Sequence, residues 1–254
     1  MGYLSVTIKP TLPVAKMIQS DKTDLPFAAG DLVADWTSFD IPKGTIKIES
    51  ITLLIRGEDG GPQTTKDFEL YFAKSDADAT APTSLGAVNA SVVGVGYYNN
   101  LIGCQVIDTT NYVTKLDYMS VATLGVSAAG GGAGTNLVLQ GEPNSGTNVG
   151  YDKLYIGLIG GASYTHDFAT GVILNDGDDV AEGDTALVTD GVDANKVFAP
   201  GDIILKHDSD TVVGTIKSVG ANLITLESGS GVAISDDDEL MNSQPITVIL
   251  GFKQ

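Results

Sequence analysis

The chain has 254 residues, and its 32 Asp and Glu against 14 Lys and Arg give a formal net charge of −18. This excess of acid argues against nucleic acid and anionic membranes as partners, because Lys and Arg neutralise the phosphate groups in both cases. Hydrophobic residues make up 43 % of the chain, which excludes a disordered tail, and no run of about 18 apolar residues suits a membrane-spanning helix.

Alternation of apolar and polar residues with a period of two predicts β-strands along the first two-thirds of the chain. The alternation at 46–48 resumes one position out of phase at 51–55, and such a phase slip predicts a β-bulge. No stretch longer than about ten residues has the apolar spacing of a helix, so we expect no long helix. Strands are predicted at residues 4–8, 46–55, 68–72, 91–95, 103–107, 119–126, 136–139 and 153–159.

Residues 168–240 form an acidic block with a net charge of −12 and its own strand pattern. A further strand at 246–252 follows this block, and we predict that it pairs with strands before residue 168, because a lone strand leaves its backbone groups unpaired. The block is therefore predicted to be a domain inserted into a first domain of residues 1–167 plus 241–254. Many short strands between Gly-, Asn- and Asp-rich loops predict an all-β sandwich or barrel. Within the block, strands are predicted at 185–189, 202–207, 211–219, 222–226 and 232–234.

No motif for catalysis or cofactor binding is complete in this sequence. The glycine-rich run at 130–134 lacks the Lys-Ser/Thr of a phosphate-binding loop, so a surface loop is predicted. His166 and His207 are each followed by Asp, which in a strand points the two side chains to opposite faces. We expect both histidines at the surface or at strand ends. Cys104, the single cysteine, lies in an apolar stretch and is expected to be buried and unreactive.

Two clusters of carboxylates, at residues 175–179 and 236–239, are the densest candidates for calcium. Neither has the ligand spacing of an EF-hand loop, so solvated acidic loops are predicted. A carboxylate pair for glycoside hydrolysis stays open, because its separation is spatial rather than sequential. Trp36 is the single tryptophan, however, and glycan clefts usually need aromatic platforms. An enzyme is the less favoured interpretation, and no catalytic residue, metal or cofactor is predicted.

Four aromatic residues are candidates for a protein interface: Trp36, Phe39, Tyr97 and Tyr98. Tyr and Trp are enriched where protein surfaces bind one another. The alternative is that one member of each pair fills the core of the sandwich. The core is the favoured position for Trp36, whereas both alternatives stay open for Tyr97 and Tyr98.

The acidic block contains a short series of characteristic strand sequences: GDIILK at 201–206, VGTI at 213–216, ITL at 224–226 and VAISDDDEL at 232–240. This series resembles the small β-barrel or SH3-like modules of tailed-bacteriophage virion structural proteins. The glycine-rich, acidic, cysteine-poor first part is similar to phage head decoration (cement) proteins, which have a jelly-roll-like sandwich. The resemblance implies an all-β fold in which a jelly-roll-like β-sandwich carries an inserted small β-barrel. It carries over no catalytic or binding residue.

The resemblance further implies a non-enzymatic virion protein on the outer surface of the capsid, which bridges neighbouring subunits of the major capsid protein as a homotrimer. The charge of −18 agrees with an outer position, because packaged DNA would repel so acidic a protein. A neck, tail or baseplate component is the nearest alternative. A carbohydrate-binding β-sandwich module is the alternative from another class, and it predicts aromatic side chains clustered on one exposed face. A hydrolase comes third.

Overall fold

The computed structural model of the protein describes residues 3–13, 26–41, 44–56, 65–76, 80–92, 96–113, 118–125, 138–141, 153–165, 172–175, 177, 179–207 and 211–253. Within these ranges one short α-helix, α1 (Ala194–Val197), and two 3-10 turns, Tyr98–Asn100 and Thr109–Asn111, accompany the strands. No helix among the described residues is long and apolar enough to cross a membrane. The strands are β1 (Tyr3–Ile8), β2 (Pro26–Phe27), β3 (Leu32–Asp40), β4 (Gly44–Ile55), β5 (Phe68–Lys74), β6 (Leu101–Ile107), β7 (Tyr112–Val113), β8 (Ser120–Gly125), β9 (Val138–Gly141), β10 (Lys153–Gly160), β11 (Tyr164–Thr165), β12 (Val172–Leu174), β13 (Ala186–Gly191), β14 (Ile203–Lys206), β15 (Val212–Val219), β16 (Leu223–Leu226), β17 (Leu240–Asn242) and β18 (Ile246–Lys253).

Two of the sheets form a β-sandwich around a common core. The first sheet has the order β1-β18-β4-β8-β7, with β9 also paired to β4, and the second has the order β3-β10-β5-β6. The eight principal strands, numbered 1 to 8 in chain order, are β1, β3, β4, β5, β6, β8, β10 and β18. Their order is 1-8-3-6 in the first sheet and 2-7-4-5 in the second, which is jelly-roll connectivity. The predicted all-β, jelly-roll-like sandwich is confirmed. Because β18 lies between β1 and β4, the predicted pairing of the last strand is confirmed as well.

The predicted β-bulge lies in β4. Gly251 of β18 pairs with Ser50, whereas the next residue of β18 pairs with Ile48, so Glu49 is the extra residue. Because a bulge inserts one extra residue into the strand, two side chains an odd number of positions apart on either side of it point to the same face of the sheet. Ile48 and Ile51, which are separated by an odd number of positions, are consequently both fully buried in the sandwich core.

The sequence does not predict β3, because both faces of this strand are covered. Val33 and Ala34 contact the core between the sheets, while Leu32 and Trp36 belong to a smaller core on the outer side of the second sheet. The register against β10 is also irregular. Burial on both faces, together with this irregularity, removes the apolar–polar alternation by which a strand is recognised in a sequence.

A loop of residues 80–92 covers this smaller core and is held on β3 by polar contacts. Asp35 Oδ1 accepts a hydrogen bond from the N–H of Leu85 (3.0 Å), and Trp36 Nε1 donates to a carbonyl oxygen of the loop (3.0 Å). Gly157 of β10 leaves the necessary space, since a Cβ there would lie 2.5 Å from Leu85 Cδ1 and 3.2 Å from the Trp36 ring. The outer side of the second sheet is therefore covered by the chain itself at β3 and β10.

The third sheet is a nearly closed barrel with the order β12-β13-β16-β15-β14-β17. Isolated bridges join Ile173 to Glu239 and Val180 to Ile234, and the barrel encloses a core of its own. The predicted inserted small barrel is confirmed as a fold. Its boundaries and its ability to fold alone stay predictions, since residue 168 lies outside the described residues and the boundary placed at 240/241 falls within β17.

Two predicted strands differ from the structure. At residues 232–234, the only backbone pairing of β type is the isolated bridge of Ile234. The prediction at 91–95 lies partly outside the described residues, and Ser91 makes an isolated bridge with Asp31. Both segments carry apolar residues because they cover a core, without extending a sheet.

The β14–β17 pair separates the two cores. Ile204 and Leu240 belong to the barrel core, whereas their chain neighbours Leu205 and Met241 belong to the sandwich core. Successive residues of a strand point to opposite faces, so one strand pair serves both units. The barrel is thereby packed against the end of the sandwich at which β1 and β4 finish.

A fully buried carboxylate, Asp202, lies at this junction immediately before β14. Its Oδ1 accepts from Lys9 Nζ (3.0 Å) and from the guanidinium of Arg56 (2.5 Å), which directly follow β1 and β4. Its Oδ2 accepts from the N–H of Ala199 (2.9 Å) and from Asn242 Nδ2 (3.2 Å). Arg56 is the only arginine in the chain, and it is committed to this contact. One carboxylate thus joins two strands of the sandwich to the barrel.

We expect Asp202→Asn to lower the free energy of unfolding by about 3–5 kcal/mol, because removing one partner of a buried ion pair leaves the other charge uncompensated. Urea unfolding monitored by circular dichroism measures this change. Asp193→Asn is the matched control, since Asp193 pairs with Lys196 on the surface (2.9 Å) and surface pairs contribute little. Equal midpoints for the two variants would contradict the role assigned to Asp202.

Candidate interaction surfaces

The outer face of the first sheet, meaning the side turned away from the sandwich core, carries no charged residue in three successive rows. Each row runs across neighbouring strands in register. In a molecule of charge −18, such an area can contact another protein without desolvating charged side chains. The rows are Ser5, Gly251, Ser50 and Gly125; then Thr7, Ile249, Thr52 and Thr123; then Thr247, Leu54, Val121 and Val113.

The strand β1 forms an open edge beside this face. It pairs with β18 on one side, and its other edge has no backbone partner among the described residues. Tyr3 and Leu4 are 74 % and 43 % exposed. A groove of about 580 Å³ runs beside them, where a Cβ on Gly251 would collide with Ser50 Oγ. An unpaired strand edge is a template for pairing with another chain.

Three of the four predicted interface aromatics form a continuous row. The ring centroids of Trp36 and Tyr97 are 6.2 Å apart, and those of Tyr97 and Tyr98 are 5.1 Å apart, both in edge-to-face geometry. Tyr97 is buried in the smaller core, Trp36 is half-buried against it, and Tyr98 is 57 % exposed. The row therefore reaches the surface at Tyr98. An interface role for these three residues stays a prediction.

Phe39 lies in the sandwich core. This is the alternative that the sequence left open for one member of the pair Trp36 and Phe39. Phe39 is 4 % exposed and stacks on Phe252, with ring centroids 6.4 Å apart. The predicted interface role is corrected here, since the ring offers no surface to a partner. The inward position of Phe39 on β3 is the physical reason.

Burial and hydrogen bonding raise the pKa of tyrosines in and beside the aromatic row. Tyr71 donates to Glu69 Oε2 (2.8 Å), and this hydrogen bond, followed by burial and by the charge of Glu69, raises the pKa of Tyr71 to about 12. Burial raises the pKa of Tyr97, and the neighbouring Tyr98 adds to the effect. Both phenols therefore stay neutral under physiological conditions, and the Tyr71 phenol acts as a hydrogen-bond donor to Glu69.

A cleft of about 650 Å³ lies between the sandwich and the barrel. The sandwich contributes Leu12 and the segment of β3 around Trp36, and the barrel contributes Ile203, Leu205 and Val212. Ligand sites often occur where two units of a fold meet. This cleft could not be anticipated from the sequence, because its walls come from segments far apart in the chain.

Among the residues that the structure describes, the candidates for catalysis do not converge. His207 directly follows β14, as expected for a strand end, but it is buried, with Nε2 3.6 Å from Glu239 Oε2. No described residue gives its Nδ1 a hydrogen bond. Among the described ranges, no three His, Cys, Asp or Glu side chains are grouped closely enough to hold a metal ion. His166 and the run at 130–134 lie outside the described residues, and so do residues 176 and 178 of the first acidic cluster.

Two further expectations are corrected. Cys104 is exposed rather than buried, because β6 is the edge strand of the second sheet and this residue occupies its outer side. The acidic cluster at 236–239 is not simply solvated, since Asp238 pairs with Lys206 (2.7 Å). A run of apolar neighbours indicates a strand, but the strand's place in the sheet decides which residues are covered.

No protein-family model and no curated protein sequence matches this chain. Among solved structures, it is similar to a chain of the T13 IBDV viral particle (11 % identity, TM-score 0.15) and to the VP2 subviral particle of infectious bursal disease virus (10 % identity, TM-score 0.17). The alignments cover 98 % and 99 % of this chain but 39 % and 41 % of the viral chains. The chain thus spans about two-fifths of their length. TM-scores of this size do not establish a common fold.

We expect Tyr71→Phe to reduce the loss of stability in alkaline solution. A phenol whose pKa is raised to about 12 in the folded state stabilises the fold fully below its unfolded pKa near 10. This stabilisation is lost as the pH rises from about 10 to about 12, and phenylalanine cannot titrate. Urea midpoints measured across this window test the expectation. An alkaline loss of the same size in the variant and the parent would contradict it.

Proposed function

We propose that the chain is a non-enzymatic virion structural protein, which decorates and stabilises a phage capsid by bridging capsid subunits on its outer surface. The observation that carries the proposal is the open edge of β1 beside the three charge-free rows on the outer face of the first sheet. Both features offer surface to a binding partner, and neither requires a catalytic residue. Their combination suits a protein whose role is attachment.

The open edge and the outer face support two partners. A strand of the major capsid protein could pair with β1, because an exposed edge presents a row of free N–H and C=O groups. Copies of the chain could also meet there, and closure into a homotrimer would remove the edge from solvent. The outer face supports contact with a neutral surface, since no like charges oppose each other across it.

The barrel supports an outward orientation. Residues 168–240 contribute −12 to the net charge of −18, and the barrel is packed against the end of the sandwich by Asp202. A strongly acidic unit is repelled by packaged DNA and well solvated on the outside of a shell. The same surfaces and the same outward position of the acidic unit would suit a neck, tail or baseplate component. Such a component differs from a decoration protein in its copy number per particle.

A carbohydrate-binding module is the second candidate function, and the aromatic row favours it. Trp36, Tyr97 and Tyr98 are in successive ring contact, and Tyr98 brings the row to the surface. Aromatic rings with one exposed side supply stacking surface for sugars and peptides alike. This candidate shares the fold with the first but uses a different face of the sandwich.

For the leading proposal, we expect the double variant Ser5→Asp/Thr123→Asp to attach at least about tenfold more weakly to capsid shells stripped of the protein. Both residues are exposed on the outer face, so the changes place charges in a contact without disturbing the core. Val188→Asp on the exposed side of the barrel is the control. Co-sedimentation with shells measures attachment, and equal binding of all three proteins would contradict the proposed face.

For the second candidate, a glycan array with fluorescently labelled protein is the direct test. A binding module would retain specific glycans, and Tyr98→Ala would reduce the signal by about tenfold or more through lost ring contact. Tyr3→Ala is the matched control, since Tyr3 is also exposed but lies on the opposite sheet. Absence of glycan binding, or equal loss in both variants, would overturn this candidate.

A further inference from the structure

The strand β6 is an open edge of the second sheet. It pairs with β5 on one side, regularly from Gly103 to Ile107. The described part of the chain gives its other side no hydrogen bond, either from backbone or from side chains. Cys104 is exposed and Val106 is 55 % exposed, so this stretch of the strand faces solvent. Free N–H and C=O groups of β6 are therefore accessible to another strand.

The sequence of β6 leaves this edge without the usual protection. Proteins commonly prevent edge-to-edge pairing by placing Lys, other charged residues or Pro on an open edge strand. The seven residues of β6, LIGCQVI, include no charge and no proline. In a chain of net charge −18, an exposed and uncharged edge strand of this length is suited to pairing with another chain.

We propose that β6 pairs with β6 of a second copy of this chain, antiparallel about a two-fold axis at Cys104. Cys104 is the middle residue of the strand, so this register pairs all seven residues of both copies. The strand has the same character in both directions, with two aliphatic residues at each end and one uncharged residue on each side of the cysteine. The pairing would join two four-stranded sheets into one continuous sheet through an isologous interface. The inference concerns a different edge from β1 and does not depend on the virion role.

Charge limits where two copies of so acidic a protein can meet, and β6 satisfies this limit. Glu69 lies beside Val106 on β5, but the two-fold axis would separate it from its counterpart by about 20 Å. That distance exceeds the Debye length of about 8 Å at physiological salt. At each end of the paired strands, Asp108 of one copy would lie opposite Asn100 of the other, whose side chain donates to Asp76 (2.7 Å). We therefore expect the copies to associate more tightly as salt screens these carboxylates.

Analytical ultracentrifugation of the full chain in reducing buffer tests the pairing. We expect a monomer–dimer equilibrium that shifts toward dimer with added salt, and at least about tenfold weaker association of Val106→Lys, because the new cation would lie within the interface. Lysine at this position stays beside Glu69, which supports the fold of the variant itself. Val188→Lys makes the same change at an exposed barrel position and should keep the parent dissociation constant. A monomer at every protein and salt concentration, or association that Val106→Lys leaves unchanged, would overturn the proposal.

The single cysteine tests the register. Residues directly opposite each other in an antiparallel pair have Cα atoms about 4.5–5.5 Å apart, which lies within the range that a disulfide spans. Diamide, which takes up one hydrogen from each of two thiols as the S–S bond forms, should therefore convert the protein rapidly into a disulfide-linked dimer.

The double variant Cys104→Ser/Val188→Cys is the matched control for this reaction. It carries its one thiol at an exposed barrel position, and we expect it to cross-link at least about tenfold more slowly, since no interface raises the local thiol concentration there. Non-reducing electrophoresis over time measures both rates. Equal rates for the parent and the double variant would overturn the two-fold register at Cys104.

Discussion

The buried contact of Asp202 with Arg56 and Lys9 determines how the two units of this protein are arranged. A fully buried carboxylate is costly unless its charge is compensated and its oxygens are hydrogen-bonded, and here each oxygen accepts two donors. Two of those donors belong to the sandwich and two to the barrel. The barrel therefore cannot turn away from the sandwich without leaving this charge unpaired. The cleft between the units exists because of this constraint.

The surface of the molecule is divided into covered, charge-free and acidic regions. The chain covers the outer side of the second sheet at β3 and β10 with its own loop, which is held by Asp35 and Trp36. On the outer face of the first sheet, three successive rows of residues are charge-free in a strongly acidic molecule. Negative charge is concentrated on the barrel instead. The charge-free rows, the open edge of β1 and the acidic barrel all fit the attachment role that we propose.

Regular alternation allowed much of this fold to be predicted from the sequence. The phase slip between Ile48 and Ile51 predicts the bulge of β4, and the strong final strand predicts a return to the first sheet. β3 could not be predicted, because its two faces are buried in different cores and alternation is lost. Cys104 illustrates a second limit, since only the order of strands shows that β6 is an edge.

The interaction surfaces were harder to anticipate than the fold. The aromatic pairs at Trp36 and Tyr97 are visible in the sequence, but which ring reaches the solvent depends on the packing of a covering loop. The ion pair of Asp202 and Arg56 joins residues 146 positions apart, and its one signal is that the only arginine of the chain directly follows a predicted strand. The charge-free rows become visible when strand register is known, because each row combines residues from four strands.

Quantitative mass spectrometry of gradient-purified virus particles tests the central claim most directly. If the protein decorates a capsid, its copy number per particle will be comparable to that of the major capsid protein. A copy number that is a small fraction of this value would contradict decoration and favour a neck, tail or baseplate position. Absence of the protein from purified particles would contradict the virion role altogether.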